Sequence, residues 1–465
     1  MKARDVRIGG LALIATFLLV ACGGGGGSSS APPPPPTYSV TYSGNGSTGG
    51  SVPVDTATYQ QGQTVTVLGN TGSLVDTGHA FSGWNSATGG TGTAYTAGQT
   101  FTMGAANVTL YAQWPPAAGL GYAYSVNQYE GTVSQLTMGA NGALTALTPA
   151  TVPSELDPNS LAVDPLGKYL YVVNVKGATN TSNGSISQYT IGADGTLAPM
   201  TPASIDEGGA FTDIAVHPAG KWAYAVVSKN PGANVVQYTI GANGTLAQTS
   251  SALTSYVFTD FVAIHPSGKY LYVTNSISVD QFTIDPTTGA LVVMSPASVP
   301  AFNTAGHTTF AITVHPSGKY AYVTDYFGGI LEYTIDANTG ALSPLARTQV
   351  DGPVQCAAWI TVDPSGKYAY VANCGSTSAA ISQYTVGADG ALTAMTPASV
   401  AATSAATNVQ VDASGTYLYM TSGLGTGATN IVSQYRIGAN GGLTPMSPGA
   451  VTVGSGPNAI VLVKK

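Results

Sequence analysis

The nonapeptide HPSGKYAYV, at residues 315–323, occurs in six versions along this chain. The other five begin at Asp164, His217, His265, Asp363 and Asp412. Each version joins a turn sequence to tyrosines that alternate with small apolar residues, which is typical of a reverse turn leading into a β-strand. Consecutive copies lie about 50 residues apart, so the chain contains a structural repeat of that length.

Each repeat contains four short segments with strand character. Around residue 315 these segments are FAITV (310–314), KYAYVTD (319–325), GILEYTID (329–336) and ALSPLA (341–346). Asp-Gly and Asn-Gly pairs, as in GADG (192–195) and GANG (241–244), supply the positive φ that tight hairpin turns require. The pattern therefore predicts that each repeat is a four-stranded antiparallel meander.

The number of strands predicts how the repeats close. Sets of second, third and fourth strands begin at Tyr122, Tyr169, Trp222, Tyr270, Tyr320, Tyr368 and Tyr417. The first set has no first strand of its own, whereas the C-terminal segment NAIVLVK (458–464) has the character of one. A ring in which this last strand completes the first blade leaves no open edge. We therefore predict an all-β fold, with a seven-bladed β-propeller over residues 119–465.

Residues 38–114 form a separate segment of short alternating runs bounded by Gly, Asn and Ser clusters, which are strand and turn signals. On YSVTYSGNGSTGGSV (38–52), FSGWN (81–85) and FTMGAANVTLYAQW (101–114), it resembles the internalin-type B repeat, also called the Listeria-Bacteroides repeat. The resemblance implies a small β-grasp-like module that acts as a spacer or in adhesion. Because so small a module needs large side chains in its core, we expect Trp84 and Trp114 to be buried.

The N-terminus has the features of an export signal. Residues 1–21 combine a basic start with an apolar run, as secretory signal peptides do. LVAC (19–22) resembles the bacterial lipoprotein box, which implies cleavage before Cys22, lipidation of its thiol and a membrane anchor. With Gly23 next, the resemblance implies an outer-membrane location in the cell envelope; an uncleaved anchor is the alternative. Residues 22–37 are rich in Gly, Ser and Pro and predict a tether.

The composition excludes one class of partner. Only 8% of residues are charged, and the formal net charge is −7 at pH 7. Without a basic field the chain has nothing to attract nucleic acid, so we expect no such partner. A surface of mostly neutral polar residues favours an extracytoplasmic protein, and we expect a monomer.

The repeat itself resembles a known propeller family. SLAVDPLGKYLYVVN (160–174) and GSISQYTIGADGTLAPMTPAS (184–204) resemble the lactonase-type seven-bladed propellers, which are related to 6-phosphogluconolactonase and bacterial carboxymuconate-cyclising enzymes. The matching residues are turns and blade cores that occur in every blade. The resemblance therefore implies the fold, and a catalytic residue should instead break the repeat.

Positions that break the repeat identify candidate ligand contacts. Propeller ligands bind where the starts of first strands and the ends of second strands gather around the channel mouth. Alignment of the blades places one such entry position at Asn159, Thr212, Asp260, Phe310, Ala358, Thr407 and Asn458, and Asp213, Trp359 and Asn408 follow one residue later. The second strands end at the mouth with residues such as Asp325. We predict ligand contacts at Asn159, Asp213, Asp260, Asp325, Trp359 and Asn408.

Three hypotheses for function follow from these positions. Trp359 and the non-repeat tyrosines Tyr129, Tyr256 and Tyr326 favour binding or adhesion to a neutral glycan, a peptide or a protein. The alternative is a lactone hydrolase, with His307 and Arg347 as the catalytic candidates because a base and a cation are required. A third hypothesis is calcium binding by Asp213, Asp260 and Asp325, although no calcium-loop motif is present and we assign no metal site and no cofactor.

The two cysteines of the propeller are predicted to form a disulfide. If Val362 faces Tyr368 across the DPSGK turn, then Cys356 faces Cys374 in the same hairpin. In an oxidising compartment such a bond would stabilise the fold by about 2 to 3 kcal/mol.

Overall fold

The computed structural model describes residues 33–76, 81–114, 119–175, 184–206, 208–228, 233–253, 259–301, 309–325, 329–345, 350–351, 356–375, 379–423 and 429–465. The chain forms two compact units that divide between Gln113 and Trp114. All regular secondary structure in these ranges is β-strand. No helix long and apolar enough to cross a membrane occurs among the residues that the model describes.

The N-terminal unit is built from short strands. They are Thr37–Tyr38, Val40–Ser43, Tyr59–Gln60, Thr64–Thr66, Gly83–Asn85, Ala94–Tyr95, Thr100–Thr102 and Val108–Gln113. The last strand lies parallel to Val40–Ser43 and antiparallel to Gly83–Asn85. Trp84 is 1% exposed, and its indole N–H donates to the Leu68 carbonyl at 2.9 Å, which confirms its place in the core. Trp114 is only half-buried.

The second unit is a propeller of seven sheets. The first, innermost strands of blades 1 to 7 are Pro457–Lys464, Pro158–Val163, Ala210–Val216, Thr259–Ile264, Thr309–Val314, Ala357–Val362 and Asn408–Val411. The second strands are Gly121–Asn127, Tyr169–Asn174, Trp222–Ser228, Tyr270–Asn275, Tyr320–Asp325, Tyr368–Asn373 and Tyr417–Ser422. The third strands are Thr132–Met138, Ser185–Ile191, Ala233–Ile240, Ser278–Ile284, Gly329–Ile335, Ala380–Val386 and Ile431–Ile437. The fourth strands are Leu144–Pro153, Leu197–Asp206, Leu246–Leu253, Leu291–Pro300, Leu342–Pro344 with Val350–Asp351, Leu392–Ala401 and Leu443–Thr452.

The C-terminal strand closes the ring, as the sequence predicts. Pro457–Lys464 pairs antiparallel with Gly121–Asn127 and completes the sheet of blade 1. Each innermost strand also lies beside the innermost strand of the next blade, and the strand of blade 1 contacts those of blades 7 and 2. The seven-bladed propeller with this closure is therefore confirmed.

The repeated tyrosines explain the recurrence of the nonapeptide. In every blade the tyrosine at the third or fourth position of the second strand donates its hydroxyl hydrogen to a glycine carbonyl in the next blade, over 2.6 to 2.8 Å. The donors are Tyr124, Tyr171, Tyr224, Tyr272, Tyr322, Tyr370 and Tyr419. The last of them reaches Gly142 of blade 1, so the same contact also closes the ring. Burial raises the pKa of all seven hydroxyls, so they remain donors at any physiological pH.

The side chains at the centre of the third strands connect the same blades further out. In six blades a side-chain oxygen accepts the backbone N–H of the leucine that begins the fourth strand of the next blade, and the acceptors are Gln135, Gln188, Gln281, Glu332, Gln383 and Gln434. In blade 3 the corresponding Gln237 instead donates to the Thr288 carbonyl. The glutamine or glutamate at this position of the third strand therefore provides a second set of contacts between blades.

The histidines in the turn sequences have a structural role. Nε2 of His217, His265 and His315 lies 2.8 Å from a glycine carbonyl in the turn of the following blade. Where aspartate replaces histidine, as at Asp164 and Asp363, the carboxylate accepts backbone N–H groups of its own turn. These histidines thus have a structural role in the framework of the propeller.

Candidate ligand site at the channel mouth

A bulge at the start of the innermost strands brings extra side chains to the channel mouth. In blade 2 the pairing passes from Pro158 opposite Asn174 to Ser160 opposite Val173, so Asn159 is the extra residue. Equivalent shifts occur in blades 1, 3, 4, 5 and 6. Because of these bulges, two consecutive residues of one strand can contact the same space.

A cavity of about 430 Å³ opens at this mouth. Its lining comes from the innermost strands and the loops beside them: Asn159, Ser160, Thr212, Phe261, Phe310, Ala358, Trp359, Cys374, Ala405, Thr407, Asn408, Asn458 and Ala459. The volume lies within the range of ~300 to 1,000 Å³ typical of small-molecule sites. None of these lining residues, all from the described part of the chain, carries a formal charge.

Blades 4, 5 and 6 supply an aromatic wall. The ring of Phe261 lies 5.1 Å from that of Phe310 and 5.3 Å from that of Trp359, measured between centroids. The planes of Phe261 and Trp359 meet at 84°, so the two rings form a corner. All three side chains are half-buried and retain surface for a ligand.

Amide and hydroxyl groups of blades 7, 1, 2 and 3 form the opposite wall. Nδ2 of Asn458 donates to Oδ1 of Asn159 at 2.9 Å, and Nδ2 of Asn159 donates to the Thr212 carbonyl at 2.6 Å. The hydroxyl of Thr407 donates to the Pro457 carbonyl at 3.2 Å. These bonds join neighbouring blades and fix the positions of the polar side chains before any ligand binds.

Asn408 is the exception on this wall. It is 2% exposed and lines the cavity, yet its Oδ1 has no hydrogen-bond partner among the residues that the structure describes. An unpaired buried acceptor of this kind costs about 1 to 3 kcal/mol of stability.

The predicted contacts are distributed unevenly around the mouth. Asn159, Trp359 and Asn408 line the cavity. Asp213 is 4% exposed and lies between blades, where its carboxylate accepts the Ser160 hydroxyl at 2.6 Å and the Val262 N–H at 3.0 Å. Asp325 is fully buried at the end of its strand and does not line the cavity.

Several other predicted site residues are not among those that the structure describes. His307, Arg347, Tyr256, Tyr326 and Cys22 lie outside the described residues, as does the side chain of Asp260. Tyr129 is described and is 59% exposed, but it does not line the cavity. Among the described residues no group of three or more His, Cys, Asp or Glu side chains could hold a metal ion.

Phe261 is the residue that sequence reasoning missed. The alignment placed its neighbour Asp260 at the mouth and extended the second position only to Asp213, Trp359 and Asn408. The observed register puts Phe261 one residue before Val262, which faces Val273, so Phe261 is the blade 4 equivalent of those residues. Extending the second aligned position to blade 4 would have found it.

The predicted disulfide is present at the rim. Cys356 and Cys374 are bonded, with their Cα atoms 5.2 Å apart, and Cys374 lines the cavity. The assumed pairing of Val362 with Tyr368 is wrong, since Val362 faces Ala369. The bulge between Ala357 and Trp359 shifts the register back by one residue and brings the two cysteines opposite each other.

Asp213 predicts a pH dependence of stability. Desolvation by burial raises its pKa from 3.8 to about 6, against the lowering effect of its hydrogen bonds. Because the pKa of Asp213 is higher in the folded state, its protonation contributes to the stability of the folded protein. This contribution is complete below pH 3.8 and is lost as the pH rises through about 6. Asp213→Asn should therefore stabilise the protein at pH 7 by up to about 3 kcal/mol, and this advantage should disappear near pH 4.

Urea unfolding between pH 4 and pH 7 measures this effect. Asn can accept the Val262 N–H through Oδ1 and donate to the Ser160 hydroxyl through Nδ2, so the contacts between blades survive. The exposed Asp206→Asn variant controls for the loss of one charge. A lower stability of Asp213→Asn at pH 7 would show that the ionised carboxylate is required, contrary to this prediction.

Two family models match the sequence. Residues 38–113 match the Listeria-Bacteroides repeat domain. Residues 122–255, 261–354 and 324–461 match the model described as Lactonase, 7-bladed beta-propeller. Two sequences of Evansella cellulosilytica, described as candidate membrane proteins, are 40% and 39% identical over 78 and 77 residues. Those matches span 17% of this chain and only 9% and 11% of the two relatives.

Solved structures resemble the propeller. A candidate 6-phosphogluconolactonase of Bacteroides fragilis has a TM-score of 0.62 and 18% identity, over 75% of this chain and 100% of its own. The periplasmic gluconolactonase of Pseudomonas aeruginosa has the same TM-score and identity, over 74% of this chain and 99% of its own. At 18% identity this similarity shows the fold alone.

Proposed function

The chain belongs to the lactonase, 7-bladed beta-propeller family, and from this premise we propose that it is a cell-envelope lipoprotein whose propeller binds an uncharged ligand at its channel mouth. The observation that carries the proposal is the cavity, in which three aromatic rings face a wall of amides and hydroxyls. Aromatic faces bind the apolar surface of a ligand, and fixed amides orient its polar groups.

The sequence before the propeller supports the envelope location. Lipid on Cys22, within LVAC, would hold the protein at a membrane, with Gly23 directing it to the outer membrane. The Gly-, Ser- and Pro-rich residues 22–37 would act as a tether, and the Listeria-Bacteroides repeat domain at 38–113 as a spacer or an adhesion module. The propeller would then present its mouth to a glycan, peptide or protein.

Removal of one aromatic side chain tests the binding proposal. Trp359→Ala should weaken binding at least about tenfold, because a large aromatic contact at the centre of a site contributes more than 1.4 kcal/mol. Binding of the mature chain to glycan and peptide arrays identifies a ligand, and titration calorimetry with that ligand gives the ratio. Tyr129→Ala, which removes an exposed ring outside the cavity, is the control. The proposal would be contradicted if the wild-type protein bound nothing on either array, or if Trp359→Ala bound the ligand with the affinity of the wild type.

Lactone hydrolysis is the second candidate function. It is favoured by the family match and by the gluconolactonase named among the similar structures. The family relation would predict hydrolysis of D-glucono-1,5-lactone by the mature chain, with loss of the activity in His307→Ala or Arg347→Ala. Absence of hydrolysis, or rates unchanged by both substitutions, would remove this candidate or its residue assignments respectively.

A further inference from the structure

We infer that the ligand of the channel mouth is an uncharged sugar ring and that Asn408 determines this specificity. The inference rests on the proposed binding function and names the substrate class of that site. It is carried by two features that lie in one cavity, an aromatic corner and a buried amide oxygen without a partner.

The aromatic corner matches the shape of a saturated ring. Phe261 and Trp359 present two planes at 84° to each other, and the ring of Phe310 lies beside that of Phe261 with its plane tilted by 44°. A pyranose ring carries C–H groups on its faces and hydroxyls around its edge. One face can lie on an aromatic plane while the second plane bounds the edge of the ring, and the hydroxyls still reach the opposite wall.

Asn408 differs from its equivalents in the other blades. The register places it opposite Thr421, which corresponds to Ser160 opposite Val173 and to Asp213 opposite Val226. Ser160 and Asp213 satisfy each other through a hydrogen bond of 2.6 Å. Asn408 is thus the one polar residue at this position, among those described, whose side-chain oxygen lacks a partner. Because buried polar side chains are almost always hydrogen-bonded, an unpaired amide oxygen that lines a cavity indicates a residue kept for a ligand.

A hydroxyl group is the partner that suits this amide. The carbonyl oxygen of Asn408 accepts hydrogen bonds, and its NH₂ group donates them. Rotation about the Cβ–Cγ bond can present either group to the cavity. Adjacent sugar hydroxyls both donate and accept, so they can satisfy the two ends of the amide at once.

The charge and size of the cavity argue against the other ligand classes. A carboxylate or phosphate ligand is bound most strongly by cationic side chains, and the described lining contains none. An extended peptide brings a backbone N–H and C=O at every residue, and each buried group needs its own partner. A cavity of about 430 Å³ has room for one small ring, whereas an extended peptide of several residues would leave many of these groups without partners.

The substitution Asn408→Leu tests the inference through binding and through stability. Leu has nearly the shape of Asn and no polar atom. The mature chain is titrated with methyl glucopyranoside, methyl galactopyranoside and methyl mannopyranoside, and with glucuronate as the anionic counterpart. We expect at least one neutral glycoside to bind the wild-type protein, glucuronate to bind at least tenfold more weakly, and Asn408→Leu to lose at least tenfold in affinity for the glycoside.

The stability of the ligand-free protein gives the second readout. Removal of an unpaired buried acceptor should raise the Tm of Asn408→Leu by about 1 to 3 °C in the absence of ligand. A residue with a purely structural role would lower it. Asn338→Leu, in an exposed turn that does not line the cavity, should change neither affinity nor Tm and serves as the matched control.

The outcomes separate this inference from the proposed function. Sugar binding that Asn408→Leu leaves intact, a preference for glucuronate, or a fall in the ligand-free Tm would overturn the inference. Retention of peptides with no affinity for any glycoside would also overturn it while leaving the binding function in place. Absence of every kind of binding would remove both.

Discussion

Deletion of residues 457–465 should abolish the cooperative unfolding transition of the propeller. The strand Pro457–Lys464 is the innermost strand of blade 1, and Ile460 and Val463 on it are 1% and 6% exposed. Its removal exposes the backbone of Gly121–Asn127 and breaks the contacts to the innermost strands of blades 7 and 2. Because each large buried side chain contributes about 2 to 5 kcal/mol, the total loss approaches the whole stability of an ordinary domain.

Differential scanning calorimetry of the full mature chain and of the deletion variant measures this effect. Lys464→Ala keeps the strand and removes only an exposed side chain, so it should unfold like the wild type. The stability of Ile460→Ala should lie between those of the wild type and the deletion variant, with a loss of about 2 to 5 kcal/mol in the free energy of unfolding. A synthetic peptide of residues 457–465 should restore part of the transition when added to the deletion variant. A propeller transition that survives the deletion unchanged would contradict the closure.

The propeller could be predicted from sequence because its determinants are local and repeated. The turn in HPSGKYAYV and the alternation after it are visible within nine residues, and each copy supports the others. Even the ring closure, which joins residues more than 300 positions apart, followed from a missing strand at one end and an additional strand at the other. The number of strands was sufficient to predict the closure, because an unpaired strand edge in the ring is unfavourable.

The site was less predictable because it depends on contacts between blades. Asp213 breaks the repeat as a ligand residue would, but its partners are Ser160 of blade 2 and Val262 of blade 4. The pattern within one blade contains no information about those neighbours. The bulges had a similar effect, since the extra residue in six of the innermost strands interrupts the alternation that would otherwise tell which side chains, such as Phe261, face the cavity.

The contact between tyrosine and glycine in successive blades leads to the second large effect. Gly244, in the outer turn of blade 3, has φ +86°, and a Cβ there would lie 2.3 Å from the ring of Tyr169. Its carbonyl also accepts the hydroxyl of Tyr171 at 2.6 Å. Gly244→Ala should therefore combine the strain of a left-handed backbone with a displaced tyrosine, for a loss of about 2 to 5 kcal/mol in the free energy of unfolding.

Gly220→Ala separates the two causes. Gly220 has φ +66°, but the nearest atom to its added Cβ is Pro165 Cδ at 3.6 Å, which is an ordinary contact. This variant should lose only about 1 to 2 kcal/mol, from backbone strain. The difference between the two losses, measured by urea unfolding, is then the contribution of the tyrosine contact with Gly244. Equal losses would show that the tyrosine can move aside at little cost. A larger loss at Gly244 would show that the tyrosines of the repeat hold each blade against the next, because the substitution changes nothing within the strands of either blade.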